Sequence, residues 1–401
     1  EYILWFLSLL TLFIAIFWIL IIFLKEKKED DIKEYPKVSI LIPAYNEEKT
    51  IAKTIKSVLN LDYPKDKLEI IVINDESKDK TYEIAKKFKN IIVINNKHKG
   101  IAKSSALNLG LKRATGEYVG CLDADSLVKS DSLKKIIRNF NGKKVGAVIS
   151  NIRVINPKNI FEKMQRVEYI LSNFTRGLMS KIDTLHVTPG ALSVYRSDLL
   201  DKYGGFEEDN LTEDFEIAIR LRSKGYLIKF EPEALSYTKV PKNFNQLWGQ
   251  RVRWFRGFIY NNLKYKNLML KKKGDLFHKF QMPLNVISVV IVLLIFFLMS
   301  YELIRSLYRF IIKVFVLKAD LISFIEIPTL KELLFSINIK LLFPIIIGLL
   351  LTAYIFVKAH KELNEKWVIN PAVIAYFTVY PFLRTLHWIT ATFKELFKSK
   401  R

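Results

Sequence analysis

Cysteine is almost missing from this 401-residue chain. Cys121 is the single one, which excludes an intrachain disulfide and a cysteine-based metal cage. Its place in the apolar run Tyr118-Val119-Gly120-Cys121-Leu122 reads as core filler rather than a nucleophile. Acids are short as well: 40 Asp and Glu stand against 63 Lys and Arg, a formal net charge of +23 with an isoelectric point near 9.7. Such an excess suits an anionic partner, whether lipid head groups, a phosphorylated substrate or nucleic acid. Zinc-knuckle spacing and base-reading motifs are both missing, which argues against nucleic acid. The basic residues gather beside apolar runs (Lys25, Lys27, Lys28; Lys271, Lys272, Lys273), and that favours a membrane surface. What the chain does hold is apolar material. Half the residues are hydrophobic and 13% aromatic, enough for a core and for lipid-facing helices in a chain of two or more domains.

Residues 2–24 are apolar apart from Ser8 and Thr11, long enough to cross a bilayer, which needs ~20 residues. The length of the run and the lack of a small-residue cleavage site after it argue against a signal peptide. Lys25-Glu26-Lys27-Lys28 then marks the cytoplasmic side by the positive-inside rule. The chain opens on Glu1 rather than Met, so a few trimmed residues are expected ahead of it. After Pro283 the hydrocarbon composition returns. Runs 284–299 and 341–357 read as spans, and a third candidate covers 368–392, interrupted by Pro371 and Pro381. Lys313, Lys318 and Asp320 break the apolar pattern of 301–340. With three spans the basic tail 394–401 would end outside, against the charge rule; a fourth span or a re-entrant piece in 301–340 would restore it.

Between these ends the pattern alternates strands (38–43, 69–74, 91–95, 118–122) with amphipathic helices (48–60, 79–88, 101–114). A strand near 145–155, a helix at 159–181, a strand at 191–196 after Thr188-Pro189-Gly190 and a helix at 213–224 follow. That order predicts a Rossmann-like α/β domain with a mostly parallel sheet and helices on both faces. Asn46, Asp75 and Asp123 stand at strand exits, which open on one crevice, the natural place for a nucleotide. Asp123 and Asp125, one residue apart, can share a divalent cation and the phosphate oxygens it carries; hard oxygen ligands suit Mg²⁺ or Mn²⁺. Solvated turn acids are the plain alternative. Thr212 reads as an N-cap with Glu213 and Asp214 in the first turn, and capping alone would account for both acids. In the helix at 243–265, Gln250, Arg253 and Trp254 stand at i, i+3 and i+4 and share a face, with Arg251 and Arg256 turned elsewhere. A helix lying in the membrane interface explains the Trp and Phe residues but not that alignment.

Five motifs now stand in order. Pro43-Ala44-Tyr45-Asn46-Glu47 follows the first strand, Asp75-Glu76-Ser77 the second and Asp123-Ala124-Asp125 the fourth; Thr212-Glu213-Asp214 and Gln250-Arg251-Val252-Arg253-Trp254 complete the set. Together they resemble the membrane-integrated family 2 glycosyltransferases with a GT-A fold. The last two resemble the signature of its processive branch, the cellulose, hyaluronan, chitin and poly-N-acetylglucosamine synthases. The resemblance covers about residues 36–260. It divides the chain into an N-terminal transmembrane helix (1–25), a cytoplasmic GT-A domain (36–240), interface helices (241–282) and a C-terminal transmembrane region (283–401), in a multi-pass protein of the cell membrane.

The resemblance also implies roles. Ala44, Tyr45, Glu47 and Asp75 would line a uridine slot. Asp123 and Asp125 would handle sugar, ribose and a Mn²⁺ or Mg²⁺ ion that offsets charge on the leaving diphosphate. Lys103, in Ala102-Lys103-Ser104-Ser105-Ala106-Leu107-Asn108, matches a lysine near the donor phosphates, an exposed helix lysine being the plain alternative. Gly190 would touch substrate. Asp214, beside Glu213, would be the general base of an inverting transfer, taking a proton from the acceptor hydroxyl. UDP leaves already stabilised, so the general acid that a glycoside hydrolase needs is not required. Arg253 would grip the diphosphate, Trp254 would stack the acceptor sugar and Gln250 would orient one of them. The implied partners are a UDP-sugar, a glycan or lipid-linked acceptor and the bilayer, with no nucleic acid and no obligate protein partner. The expected donor is UDP-N-acetylglucosamine, with UDP-glucose close behind.

Two departures stand out. One span precedes the domain where many processive relatives have two, and the segment just before the Thr188-Pro189-Gly190 turn lacks the cysteine of some hyaluronan- and chitin-type members. Thr212-Glu213-Asp214 is closer to the cellulose and poly-N-acetylglucosamine type than to a Gly-Glu-Asp form. Transfer of a single sugar to a polyprenyl phosphate is the alternative activity, and a non-catalytic nucleotide sensor or scaffold is the alternative outside enzymes.

Overall fold

A computed structural model describes residues 2–24, 34–96, 103–270, 274–317, 339–367 and 370–397. The basic clusters at 25–28 and 271–273, Ala102, Lys318, Asp320, Val368 and the end of the basic tail lie outside them. In chain order the first elements are α1 (Tyr2–Ile22), β1 (Val38–Ala44), α2 (Ile51–Leu59), β2 (Leu68–Asp75), α3 (Thr81–Lys86), β3 (Ile92–Asn96), α4 (Lys103–Leu111) and β4 (Tyr118–Leu122). Then come β5 (Leu127–Val128), α5 (Ser132–Ile137), β6 (Val145–Val154), α6 (Ile160–Lys181), β7 (Ala191–Arg196), α7 (Ser197–Tyr203), α8 (Glu213–Ser223) and β8 (Leu227–Thr238). The last are α9 (Phe244–Lys264), α10 (Met282–Leu317), α11 (Ile339–Glu362), α12 (Pro371–Thr378) and α13 (Tyr380–Leu396).

Two compact units divide the chain: Glu1–Phe23 with Leu284–Lys358, and Leu24–Pro283 with Ala359–Arg401. In the first, the apolar runs form long helices. Among the described residues two helices are long and apolar enough to cross a membrane, over Trp5–Ile22 and Phe277–Phe315. The helix α10 has 36 residues, ~54 Å at 1.5 Å per residue, so it outruns the ~30 Å of a hydrocarbon core. Its second half carries Glu302, Arg305, Arg309 and Lys313, where the expected span 284–299 has already ended. The run 341–357 lies within α11.

The second unit is built on a sheet. All of β1 and the centre of β2 are buried, as strands covered on both faces must be, and such strands pair in parallel. Accordingly β1 runs parallel to β2 and β4, and β2 to β3. The α2 helix lays Ile51, Thr54, Ile55 and Val58 on them, in a core with Ile40 and Leu122. Burying each such aliphatic side chain contributes about 1.5–3 kcal/mol. Cys121, beside Leu122 on β4, is buried too, and burial pushes its thiol up, out of the nucleophile's range.

The sheet is mixed: four of its seven pairings are parallel, β6–β8 among them, and three are antiparallel. Its order is β3-β2-β1-β4-β7-β6-β8-β5, and β7 runs antiparallel to both β4 and β6, as β5 does to β8. Strand direction is not written in a hydrophobic pattern, and the long connection through α6 permits either sense. The consequence is local: β7 starts where β4 ends, pairing Ala191 with Leu122.

The run 368–392 does not form one helix. Pro371 and Pro381 each stand in the first turn of a separate helix, α12 and α13, where a missing N–H costs nothing, and the chain breaks at Val379 between them. Both helices belong to the sheet-bearing unit, α12 packing on α6 and α13 on α9.

Candidate active site

Parallel pairing brings the exits of β1, β2 and β4 to one edge. The first two are laced together. Asn46, at φ 55°, donates its backbone N–H to Ser77 Oγ at 3.0 Å and accepts from Lys78 N at 2.8 Å. Glu47 N donates to Thr81 Oγ1 at 2.7 Å and Glu48 N to Asp79 Oδ2 at 3.1 Å. Tyr45 stands half exposed beside this seam, Glu47 accepts from Thr50 Oγ1, and Asp75 accepts from Asn96 Nδ2 at 2.9 Å. The Ala44 side chain belongs to the core, so only its backbone is on offer to a ligand.

Asp123 and Asp125 leave β4 together. Asp123 forms an ion pair with Lys103, whose ammonium also lies 3.5 Å from Glu213 Oε1. Burial by itself would lower the lysine's pKa; the carboxylates of Asp123, Glu213 and Asp214 outweigh it and hold the ammonium charged. Gly190 O accepts from Asp123 N at 2.9 Å, and a Cβ on Gly190 would fall 2.5 Å from Lys103 Nζ and 2.6 Å from both Asp123 oxygens. A side chain there would have to push the ends of both side chains aside. Asp125 accepts from Ser126 Oγ at 3.3 Å, and its carboxyl is pushed up to about 6 by burial first and then by Asp123 and Glu47. Among the described residues no group of three His, Cys, Asp or Glu side chains is arranged to hold a metal by itself.

Asp214 sits in the first turn of α8. Its carbonyl accepts from Thr188 Oγ1 at 2.6 Å and its Oδ1 from Phe215 N at 2.8 Å. Burial, then the neighbouring Glu213 charge, pushes its carboxyl up to about 7, against the pull of Lys103 and Arg253. The expected cap by Thr212 is not made: its side chain forms no capping hydrogen bond, because α9 claims it.

The helix α9 splits its two motif arginines. Arg253 is exposed and donates from Nη1 to Leu211 O at 3.1 Å. Arg251 is 1% exposed, paired with Glu168 and donating to Tyr380 OH at 3.1 Å. Arg251 is turned away from Arg253, but its side chain still reaches the other two: it donates to Gln250 Oε1 and lies 4.2 Å over the Trp254 ring. A buried guanidinium needs acceptors and a flat face, and these two neighbours supply them. Arg256 does turn away, to Glu395 at 3.4 Å. Sequence reasoning missed Tyr169 and Arg176 on α6, which lie within electrostatic reach of Asp125 and Asp214 respectively. Only their i, i+7 spacing on an amphipathic helix marks them.

Residues 39–204 match the family described as Glycosyl transferase family 2. The poly-beta-1,6-N-acetyl-D-glucosamine synthase of Staphylococcus epidermidis is 32% identical over 394 residues, 92% of each chain. This chain belongs to glycosyltransferase family 2. The family 2 enzyme is also similar to a probable glycosyltransferase of Bacillus subtilis, YdaM, 36% identical over 265 residues and 63% of each chain. Among solved structures, the mannosyltransferase PcManGT from Pyrobaculum calidifontis, in complex with GDP-Man and Mn²⁺, superposes with a TM-score of 0.62 at 19% identity. That likeness covers 98% of this chain and 96% of the other, and it establishes the GT-A fold of the glycosyltransferase.

Proposed function

We propose that the enzyme transfers N-acetylglucosamine from UDP-N-acetylglucosamine, with inversion, to the end of a growing polysaccharide, and passes that product through the membrane that anchors it. The observation that carries this reading is Lys103, which ties Asp123 at the β4 exit to Glu213 beside Asp214. Donor-side and acceptor-side acids thus share one site, as a single in-line displacement requires. Similarity to the staphylococcal synthase over 92% of both chains supports the sugar and the polymer product. The two long apolar helices support anchoring in the cell membrane, and the basic run Lys25-Glu26-Lys27-Lys28 after the first of them supports a cytoplasmic site.

The roles follow from the environments. Tyr45, Glu47 and Asp75 receive the uridine. Asp214, pushed up to about 7, is basic enough to take the acceptor hydroxyl's proton near neutral pH. Arg253, exposed on α9, reaches the diphosphate. Trp254, steadied under Arg251, offers an apolar face to the acceptor sugar. Asp123 and Asp125 suit a Mg²⁺ or Mn²⁺ ion: the Asp125 carboxyl is raised by burial first and then by the charges of Asp123 and Glu47, and two carboxylates plus donor phosphates make the usual oxygen set. Such an ion would supply Lewis-acid stabilisation of the leaving diphosphate.

The test uses the full chain in detergent with Mn²⁺ and a panel of UDP-sugars. UDP-N-acetylglucosamine should be consumed and a polymer formed; preference for UDP-glucose overturns the sugar, and one addition to a lipid carrier overturns the polymerase. Chelation with EDTA should stop turnover and added Mn²⁺ restore it. Asp214→Asn should lower kcat by about 100-fold or more while UDP still binds.

A further inference from the structure

We infer that Asn210, Gly257 and Asn261 are positioning residues that set the acceptor base, holding the segment before Asp214 against α9. The inference rests on the reading of Asp214 as that base. A helix start normally spends its threonine on its own free amides. Here Thr212 Oγ1 instead accepts from Asn261 Nδ2 at 3.1 Å. The same amide donates to Asn210 Oδ1 at 3.1 Å, which also accepts from Thr212 N at 3.1 Å. Asn210 Nδ2 returns a hydrogen bond to Asn261 Oδ1 at 2.8 Å and gives another to Glu207 Oε2 at 2.8 Å. Both asparagines are buried, at 3% and 0% exposure.

Residues 253, 257 and 261 lie four apart and make one stripe on α9. Arg253 holds Leu211 O, and Asn261 holds Asn210 and Thr212. Gly257 stands between them, and a Cβ there would fall 2.2 Å from Thr212 Oγ1 and 2.5 Å from its Cγ2. Thr188 secures Asp214 O on the other side. An apolar contact would glue α9 to α8 equally well, but it would leave the rotation of Thr212 free. The reciprocal amide pair removes that freedom one residue ahead of the acids. A catalytic group displaced by 1 Å can lose on the order of 100-fold in rate.

The experiment compares Asn261→Leu, Gly257→Ala, Gly257→Ala with Thr212→Ala, and Asp214→Asn, all as full chains in detergent. Asn261→Leu and Gly257→Ala should each lower kcat by about 10- to 100-fold, with donor KM and UDP affinity within about two-fold and the acidic limb of the kcat–pH profile displaced. Thr212→Ala deletes the two nearest of the three Thr212 atoms that a Cβ at 257 would strike, leaving only Cβ at 2.9 Å, so the double variant should turn over faster than Gly257→Ala alone. Unchanged kcat in Asn261→Leu and Gly257→Ala overturns the inference. So does a fall in kcat that moves in step with melting temperature and UDP affinity, since that marks a merely structural contact. Should Asp214→Asn keep its turnover, the base reading itself falls; should it be inactive while Asn261→Leu is normal, only the positioning role falls.

Discussion

At the scale of single residues, Asp214 holds its carboxyl where ionising it is unfavourable, and this couples activity and stability in opposite senses. Its folded pKa, about 7, lies above the ordinary carboxylate value. Turnover needs the ionised form, so kcat should rise as pH passes upward through about 7. The stability contribution runs the other way: it is present at low pH, where the proton is held, and is lost as pH rises through that pKa. Asp214→Asn should therefore melt higher than the parent protein, by more at pH 8 than at pH 5, as thermal scans would read. Gly190 makes a second residue-scale case. Its backbone is not in the left-handed region, so Gly190→Ala brings contact and no dihedral strain: the new Cβ would push between Lys103 and Asp123. Donor KM should rise about ten-fold or more, with the core and melting temperature nearly unchanged.

At the scale of elements, one five-residue motif performs two jobs because a helix turns 100° per residue. Arg251 faces the protein, where Glu168 on α6 and Tyr380 on α13 meet it, and Tyr380 OH also donates to Glu168 Oε2 at 2.9 Å. Removing one partner of a buried pair leaves an uncompensated charge, so Glu168→Ala should cost about 3–5 kcal/mol in stability. Arg253→Ala should leave stability alone and raise donor KM; melting temperature and kinetics on both variants separate the roles. Motif order and spacing made these residues visible in the sequence, but not which arginine would be buried. That choice depends on where Glu168 and Tyr380 arrive, 83 and 129 residues away in the chain. Thr212 teaches the same point. Its N-cap pattern is correct locally, and tertiary contact with Asn261 overrides it.

At the scale of the whole molecule, the +23 charge and the two long apolar helices should act together. The purified chain should associate more strongly with vesicles containing anionic lipid than with neutral ones, and added salt should reduce that difference, since exposed charges are screened beyond ~10 Å at 0.1 M. Co-flotation at low and high salt measures it; equal binding to both vesicles refutes it. Sequence alone determined the family, the alternation of strands and helices up to β4, and the acids at the strand exits, because these depend on residue order and short-range periodicity. Only the tertiary structure decided that β7 runs antiparallel and so lays Gly190 on the Lys103–Asp123 pair. It alone also decided that residues 371–396 pack on α6 and α9, and that α9 holds the base segment by an amide pair. Each of these depends on strand sense or on contacts between distant segments, and no local pattern encodes either.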